Sequence, residues 1–380
     1  MRVLMAGGGT GGHIYPAIAV ADTIIADDSH SVVEFISTAK GLEKKLISEA
    51  GYITHHVEMS GFQRSFSLRN VKTAVCMITA PKKCHKLIEE FDPDMVFGTG
   101  GYLCWPLLSE ASKMGVPVTI HESNAIPGKA TLMLEDAAEI IFTNFESTGK
   151  FFKPENQHKV LRYGNPLRID PVPMSREEAR AKLGIEDKYK FVMLTFGGSR
   201  GSLFINKRVA DIMDRYTSKH PDILHIHATG MERYDEFMKD YNALMLSRCE
   251  NIIVKPYIDD MPVWEAAADC AITRAGSMTI SELSLLGTPT ILIPSPNVAN
   301  NHQYENAKRL EDAGACILME EKKMTSGGLA LAVDSIIYGG RSAVLSKNIR
   351  TFATPNAKEK IVEELKKMST GYSPSIVDVN

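Results

Sequence analysis

The 380-residue sequence contains six cysteines, Cys76, Cys84, Cys104, Cys249, Cys270 and Cys316, with no CxxC pair and no regular spacing. That distribution fits reduced thiols and excludes a disulfide framework or a cysteine-based structural zinc. No run of about 18 uncharged apolar residues occurs, so no spanning helix is expected. The opening stretch MRVLMAGGGTGG reaches glycine before the apolar core of a signal peptide could form, so export by that route is not expected either. Positive charge is not in surplus: 43 Lys and Arg against 46 Asp and Glu leave a net charge of −3, and nucleic acid is not an expected partner. No glycine loop is followed by GK[ST], which removes the P-loop of nucleotide triphosphatases.

What is present is the composition of an ordinary globular protein, 44% hydrophobic and 23% charged, and the length predicts two domains. Apolar runs rich in β-branched residues alternate with glycine loops and helical patterns: RVLMAGG, VVEFIS, DMVFGTGG, VPVTIHES and EIIFTN, then FVMLTFGG, ILHIHATG, NIIVKPY, CAITRAG and TPTILIPS. Continuous runs of this kind read as strands buried on both faces, hence α/β domains with parallel, doubly wound sheets. Pro166, Pro171 and Pro173 make residues 164–175 the linker candidate, after which a helix over 176–183 restarts the pattern. The division is therefore residues 1–163, residues 164–354, and a flexible tail over 369–380. His225 and His227, alternating on a strand, read as packing and not as a metal site.

Three glycine loops follow strands: Gly7–His13 (GGGTGGH), Gly98–Tyr102 (GTGGY) and Gly197–Gly201 (GGSRG). In open α/β sheets ligands bind beyond the carboxyl ends of strands, where glycine admits backbone N–H groups to a phosphate and the next helix presents its positive end. Gly7, Gly9 and Gly12 also satisfy G-x-G-x-x-G, with Glu34 at the spacing of a dinucleotide ribose contact. An NAD-dependent oxidoreductase is thus an alternative, although Glu34 lies inside VVEFIS and not at its end. His13 follows the first loop and is the candidate general base, the alternative being a loop-orienting role. His121, Glu122 and Asn124 end the strand VPVTI and read as exposed site groups or as an Asx-type turn. Ser277–Thr279 open a helix suited to a phosphate, with Glu282 one turn in where a carboxylate can accept from a ribose diol; a Thr279–Glu282 capping box is the alternative. Asn300, Asn301, His302 and Gln303 offer groups suited to sugar hydroxyls.

GGGTGGHIYPA, GTGGY, HESNAIPG, GNPLR, GGSRG, YIDDM, RAGSMTISE and NHQYENA occur in the order and spacing of the bacterial MurG family, which the chain resembles over essentially its whole length. The resemblance implies a GT-B fold, two Rossmann-like domains facing across a cleft, with a C-terminal helix (about 355–368) packing back on the first. It implies transfer of N-acetylglucosamine from UDP-N-acetylglucosamine to the MurNAc 4-hydroxyl of undecaprenyl-pyrophosphoryl-MurNAc-pentapeptide, with inversion, in peptidoglycan synthesis, and hence a part in cell shape and division. Donor contacts implied by the motifs are Thr10, Gly11, Gly12, Asn124, Arg168, Ser199, Ile258, Ser277, Met278, Thr279, Ile280, Ser281, Glu282 and Gln303. Implied acceptor contacts are Gly100, Gly101, Tyr102, His121 and Glu122, with His13 as base. No metal or other cofactor is implied, since amides and helix N-termini can stabilise a departing diphosphate. Arg200, where the family often has Gln, and the bulky Leu103-Cys104-Trp105-Pro106 run depart from the common pattern. The latter keeps open a GT-B transferase with a different lipid or saccharide acceptor.

A lipid-linked acceptor calls for contact with the membrane's cytoplasmic face. Met59 to His85 holds no Asp or Glu but contains Arg64, Arg69, Lys72, Lys82 and Lys83, with Lys86 just beyond. Leu68, Val71, Val75 and Ile78 share one helical face. The segment around residues 62–86 is therefore the candidate for peripheral, salt-sensitive attachment, the alternative being a core-facing helix with a solvated basic side.

Overall fold

The structure, a computed structural model, describes residues 1–59, 68–169, 174–198 and 200–370, and side chains only from residue 75 onward in the helix that begins at Leu68. Two compact units divide it, one formed by Met1–Arg168 with the returning segment from Asn356, the other by Ile169–Pro355. Residues 164–168, expected in the second domain, belong to the first. Gly164 to Leu167 are buried there, and the Gly164 carbonyl accepts a hydrogen bond from His121 Nε2 at 3.0 Å. Pro171 and Pro173 lie outside the described residues.

In the first unit the strands are β1 (Arg2–Ala6), β2 (Val32–Ser37), β3 (Thr54–His56), β4 (Met95–Gly98), β5 (Val118–Glu122), β6 (Ile140–Thr143) and β7 (Val160–Arg162). They form a parallel sheet in the order β3-β2-β1-β4-β5-β6-β7. Helices α1 (Gly11–Asp27), α2 (Leu42–Glu49), α3 (Leu68–Phe91), α4 (Cys104–Lys113) and α5 (Lys129–Leu134) cross between them. Strand alternation sorts the core: Val3, Met5, Phe35 and Phe97 meet Ile14, Ile18 and Ala21 of α1, whereas Leu4, Ala6, Ile36 and Val96 meet α3 and α4.

The second unit holds β8 (Phe191–Phe196), β9 (Ile223–Ala228), β10 (Ile252–Lys255), β11 (Cys270–Thr273), β12 (Thr290–Leu292) and β13 (Ile317–Leu318), parallel in the order β10-β9-β8-β11-β12-β13. Its helices are α6 (Arg176–Leu183), α7 (Leu203–Arg215), α8 (Tyr234–Ala243), α9 (Met261–Ala267), α10 (Ser277–Leu286), α11 (His302–Asp312), α12 (Ser326–Ile337) and α13 (Arg341–Ile349). A capping box between Ser175 and Glu178 starts α6, and left-handed Gly184 ends it.

Helix α14 (Ala357–Ser369) rejoins the first unit. Ile361, Leu365 and Met368, spaced four and three apart, pack with Val362 into the core that holds Ile14 and Ile18. Around this contact Tyr163 Oη donates to Glu364 at 3.0 Å, and Lys366 pairs with Asp27. Removing one fully buried aliphatic side chain of this kind costs about 2–5 kcal/mol, so the docking is held chiefly by packing. The helix includes Ser369, which the sequence assigns to the tail; residues 371–380 lie outside the described part. No single described helix is long and apolar enough to cross a membrane.

Candidate active site

Both sheets reverse strand order at one place, between β1 and β4 in the first unit and between β8 and β11 in the second, and at such switch points adjacent loops splay apart and leave a crevice. The first and second glycine loops leave β1 and β4. The third leaves β8, and the Arg274–Gly276 turn into α10 leaves β11. Each unit therefore carries a glycine-lined crevice at the carboxyl edge of its sheet.

In the first unit the two loops touch through backbone. Gly101 has φ +88°, and a Cβ there would collide with the Gly8 carbonyl oxygen. A Cβ on Gly7 would lie 2.5 Å from the His13 carbonyl oxygen, and one on Gly100 would lie 2.6 Å from His13 Nδ1. Thr99 closes the joint, its Oγ1 donating to the His13 carbonyl at 2.5 Å. His13 Nδ1 sits 2.9 Å from the Thr99 carbonyl and must donate to it, so in the neutral ring the lone pair is on Nε2. The half-buried ring is thereby oriented, with a basic nitrogen left for chemistry. Thr10, the N-cap of α1, makes no side-chain cap, the first turn has no acidic residue, and Thr10 and Gly12 are exposed. An anion is favoured at such a helix end.

His121 and Glu122, read from sequence as exposed groups, are buried. His121 Nε2 donates to Gly164 and its Nδ1 has no partner among the described residues; burial pushes its pKa down to about 4, so the ring stays neutral. Glu122 accepts from Asn124 N at 3.0 Å, Asn124 Nδ2 at 3.2 Å, Gly128 N at 2.9 Å and Thr131 Oγ1 at 2.7 Å. Its carboxylate thus starts α5 and aims Asn124, acting as a brace instead of reaching a ligand. Arg168 is half exposed, with Nε 3.4 Å from Asp22 on α1. Leu103 and Cys104, which looked bulky for a rim, point inward: Leu103 packs under Gly8, Cys104 Sγ lies 3.1–3.2 Å from the Ala6 and Gly100 carbonyls, and Trp105 rests on the α3–α4 core. Glu34 lies mid-strand opposite Leu4 and bonds His55, so it does not stand at the edge where a dinucleotide ribose contact belongs.

In the second unit Gly201, at φ +72°, lies against the Thr229 carbonyl, where any Cβ would clash. Ser199 lies outside the described residues, and Arg200 is exposed. Ser202 caps α7 by accepting from Ile205 N, and also accepts from Arg274 Nη2 at 2.6 Å. Arg274 bonds the Ile293 carbonyl and pairs with Glu321 as well, so this one half-buried cation joins three loops at the carboxyl edge. Sequence reading passed over it, although a charge directly after the apolar run CAIT was the available signal.

Helix α10 begins at Ser277 with Gly276 as N-cap and no side-chain cap. Thr279 is therefore inside the helix, and the capping-box alternative for Thr279 and Glu282 falls. Ser277, Ile280 and Ser281 are buried, Met278, Thr279 and Glu282 half-buried. Ile258 buries its side chain with Trp264 and Leu194, leaving its backbone as the part suited to a polar contact. Gln303 Oε1 accepts from Ser295 N at 2.8 Å, which fixes its amide. His225 and His227 are packing groups: Thr195 Oγ1 bridges them at 3.0 and 2.8 Å, and burial holds both pKa values down.

Burial pushes the Glu282 carboxyl up to about 7. Behind it Glu265 on α9 is fully buried with neither oxygen hydrogen-bonded among the described residues; burial, then the neighbouring Glu282, raises its pKa well above the ordinary value. On α3, Cys76, Ala80, Cys84, Leu87 and Ile88 face the core, while Val75 and Ile78 are 55% and 68% exposed beside exposed Lys82, Lys83 and Lys86. Residues 60–67 and the side chains of 68–74, including Arg64, Leu68, Arg69, Val71 and Lys72, lie outside the described part.

The model of the glycosyltransferase family 28 N-terminal domain matches residues 3–143, and that of the family 28 C-terminal domain matches residues 192–364. Two parallel-sheet units of this order, each with glycine loops at its switch point, are those of a GT-B glycosyltransferase. The UDP-N-acetylglucosamine–N-acetylmuramyl-(pentapeptide) pyrophosphoryl-undecaprenol N-acetylglucosamine transferase of Acetivibrio thermocellus is 37% identical over 96% of this chain and 98% of its own; that of Bacillus subtilis is 36% identical over 97% and 100%. The crystal structure of Acinetobacter baumannii MurG superposes with a TM-score of 0.74 at 24% identity, covering 96% of this chain and 99% of that one. The chain belongs to the MurG family. A UDP-GlcNAc 2-epimerase from Neisseria meningitidis reaches a TM-score of 0.66 at 16% identity over 97% and 100% of the two chains, a likeness of fold alone.

Glu265 gives a test of the buried acid pair. A carboxyl whose pKa is raised by folding contributes stability at low pH that is lost as pH rises through the folded value. Glu265→Gln removes that loss, so its melting temperature relative to wild type should be higher at pH 8 than at pH 5 in thermal denaturation. An offset independent of pH would contradict the raised carboxyl.

Proposed function

We propose that this protein transfers N-acetylglucosamine from UDP-N-acetylglucosamine to the MurNAc 4-hydroxyl of undecaprenyl-pyrophosphoryl-MurNAc-pentapeptide, with inversion. The observation that carries the reading is near full-length likeness to enzymes named for this reaction, joined to a glycine crevice and an uncapped helix N-terminus in each unit. The second unit takes the donor. The α10 N-terminus and the third loop receive the pyrophosphate, Glu282 the ribose hydroxyls, Gln303 the sugar, and the Ile258 backbone the uracil. Raised to about 7, the Glu282 carboxyl is a weak acid that can accept from or donate to a diol near neutral pH.

The first unit takes the acceptor, its diphosphate lying at the Gly100–Tyr102 loop and at Gly11 and Gly12, which the motifs imply as donor contacts but which open the uncapped α1 beside that loop. His13 Nε2 removes the proton of the 4-hydroxyl as that oxygen bonds to the anomeric carbon. The anomeric bond to the diphosphate breaks on the opposite face, and UDP leaves with the electron pair. Fixed amides and helix ends stabilise that charge without a metal.

Val75 and Ile78, exposed beside Lys82, Lys83 and Lys86, support a peripheral attachment of the first unit to the anionic membrane surface that holds the acceptor. Each basic side chain near such a surface contributes roughly 1 kcal/mol, and each methylene immersed adds about 0.8 kcal/mol.

The function is tested by following UDP release from the donor with EDTA-treated protein, with and without a short-chain lipid-linked MurNAc-pentapeptide. Release should depend on the acceptor, survive chelation and fall about 100-fold or more in His13→Ala. Release lost on chelation, or unaffected by the acceptor, contradicts the proposal. For attachment, cosedimentation with phosphatidylglycerol vesicles should weaken from 50 to 500 mM salt and weaken further in Ile78→Asp. Equal binding of Ile78→Asp and wild type removes α3 from that role.

A further inference from the structure

Glu43 is a fully buried carboxyl in the first turn of α2, beside the first two glycine loops and outside every motif discussed so far. Its Oε1 accepts from Thr38 Oγ1 at 2.6 Å, from Thr38 N at 3.3 Å and from Tyr102 Oη at 3.3 Å. Its Oε2 accepts from Gly9 N at 3.4 Å. One side chain therefore ties the first loop, the second loop and the end of β2 together. Room is kept for it: a Cβ on Gly41 would collide with both the Glu43 carboxyl and Thr38 Oγ1. Tyr102 in turn lays its ring on Gly9, where a Cβ would meet Cε1 at 3.2 Å.

Burial works against the charge on Glu43, yet the hydrogen bonds from Thr38 and Gly9 outweigh it and hold the carboxyl below its ordinary pKa. The group is an anion at neutral pH with its lone pairs spent inward. Tyr102 responds in the opposite sense, burial and then the Glu43 charge pushing its phenol up to about 12. Glutamine cannot copy the arrangement, because one of its two terminal atoms is an NH2 group. With its oxygen toward Thr38 and Tyr102, that NH2 faces the Gly9 N–H, donor against donor.

We propose that Glu43 is a positioning residue for acceptor binding, its carboxylate locking Gly9 and Tyr102 so that the two glycine loops present one preset anion cradle. The proposal rests on the reading that these loops hold the acceptor's diphosphate. Glu43 turns the Gly9 amide inward, so the cradle is built from the α1 N-terminus and the Gly100–Tyr102 turn, with the exposed Thr10 and Gly12 at its mouth. Locking the loops before the ligand arrives removes an ordering cost from binding.

The test compares wild type with Glu43→Gln, Tyr102→Phe and the double variant, measuring kcat and KM for a short-chain acceptor, UDP affinity, and tyrosinate absorbance at 295 nm against pH. Glu43→Gln should raise the acceptor KM about tenfold or more, leave UDP affinity within about twofold, and move the Tyr102 titration, identified by its loss in Tyr102→Phe, to lower pH. The double variant should be little worse than Glu43→Gln alone, since both act through one joint. An unchanged acceptor KM overturns the proposal, and so does a parallel loss of UDP affinity and acceptor use in a folded variant, which marks a general structural role. Should Glu43→Gln not fold, Glu43→Asp, which keeps the charge but cannot span Thr38 and Gly9 together, must show the same split. If the wild type transfers no sugar to this acceptor, the function proposed above fails instead. The titration then decides for Glu43 without any acceptor: an unmoved Tyr102 removes the lock.

Discussion

The backbone contact between the first two glycine loops, at the place where the first sheet reverses its strand order, is the constraint on which the rest of that site depends. A parallel sheet of this order leaves a crevice between β1 and β4, but a crevice alone fixes no geometry. It is fixed because the turn at Gly100–Gly101 presses on Gly8, with no room for a side chain at Gly7, Gly100 or Gly101. From that contact follow the Thr99 carbonyl that orients His13, the placement of Tyr102 on Gly9, and the inward packing of Leu103 and Cys104. Glycine costs conformational entropy in the unfolded chain, and the fully buried strands and helices around these loops offset that cost.

The second unit solves the same problem with charge. Gly201 and Gly230 let the third loop press on the turn after β9, and the half-buried Arg274 fastens the α7 cap, the turn after β12 and Glu321 to one point. A guanidinium can do this because its fork offers several donors in one plane. The same unit holds the acid pair Glu265–Glu282, in which the fully buried Glu265 has neither oxygen hydrogen-bonded among the described residues. Burial keeps Glu282 from ionising fully near neutral pH, and the neighbouring Glu282 in turn adds to the raised pKa of Glu265.

Much of this was legible in the sequence, for definite reasons. Central strands such as RVLMA and VVEFIS are buried on both faces and stand out as apolar runs, and glycine followed by a helical pattern marks the ligand edge. The edge strands β3, β7 and β13 were missed, because two or three residues such as THH or VLR carry no run to detect. Exposure at strand ends was misjudged: Glu122 and His121 look like site groups by position, yet a carboxylate with four donors around it and a ring in the core are braces. Arg274 reaches partners 19 and 72 residues away, Glu43 ties in loops 34 and 59 residues away, and Glu265 has no hydrogen-bond partner among the described residues, none of which a local pattern encodes. On α3 the apolar face was recognised, but Val75 and Ile78 point outward while the cysteine and alanine positions face the core.

The most direct test of the loop contact as the source of acceptor recognition is to measure sugar transfer and UDP binding by Gly101→Ala. At φ +88° and against the Gly8 carbonyl, a methyl group forces the two loops apart and strains the backbone by about 1–2 kcal/mol even before the clash is relieved. The account predicts a loss of about tenfold or more in kcat/KM for the acceptor, with UDP bound as tightly as by the wild type. Transfer at the wild-type rate would contradict it.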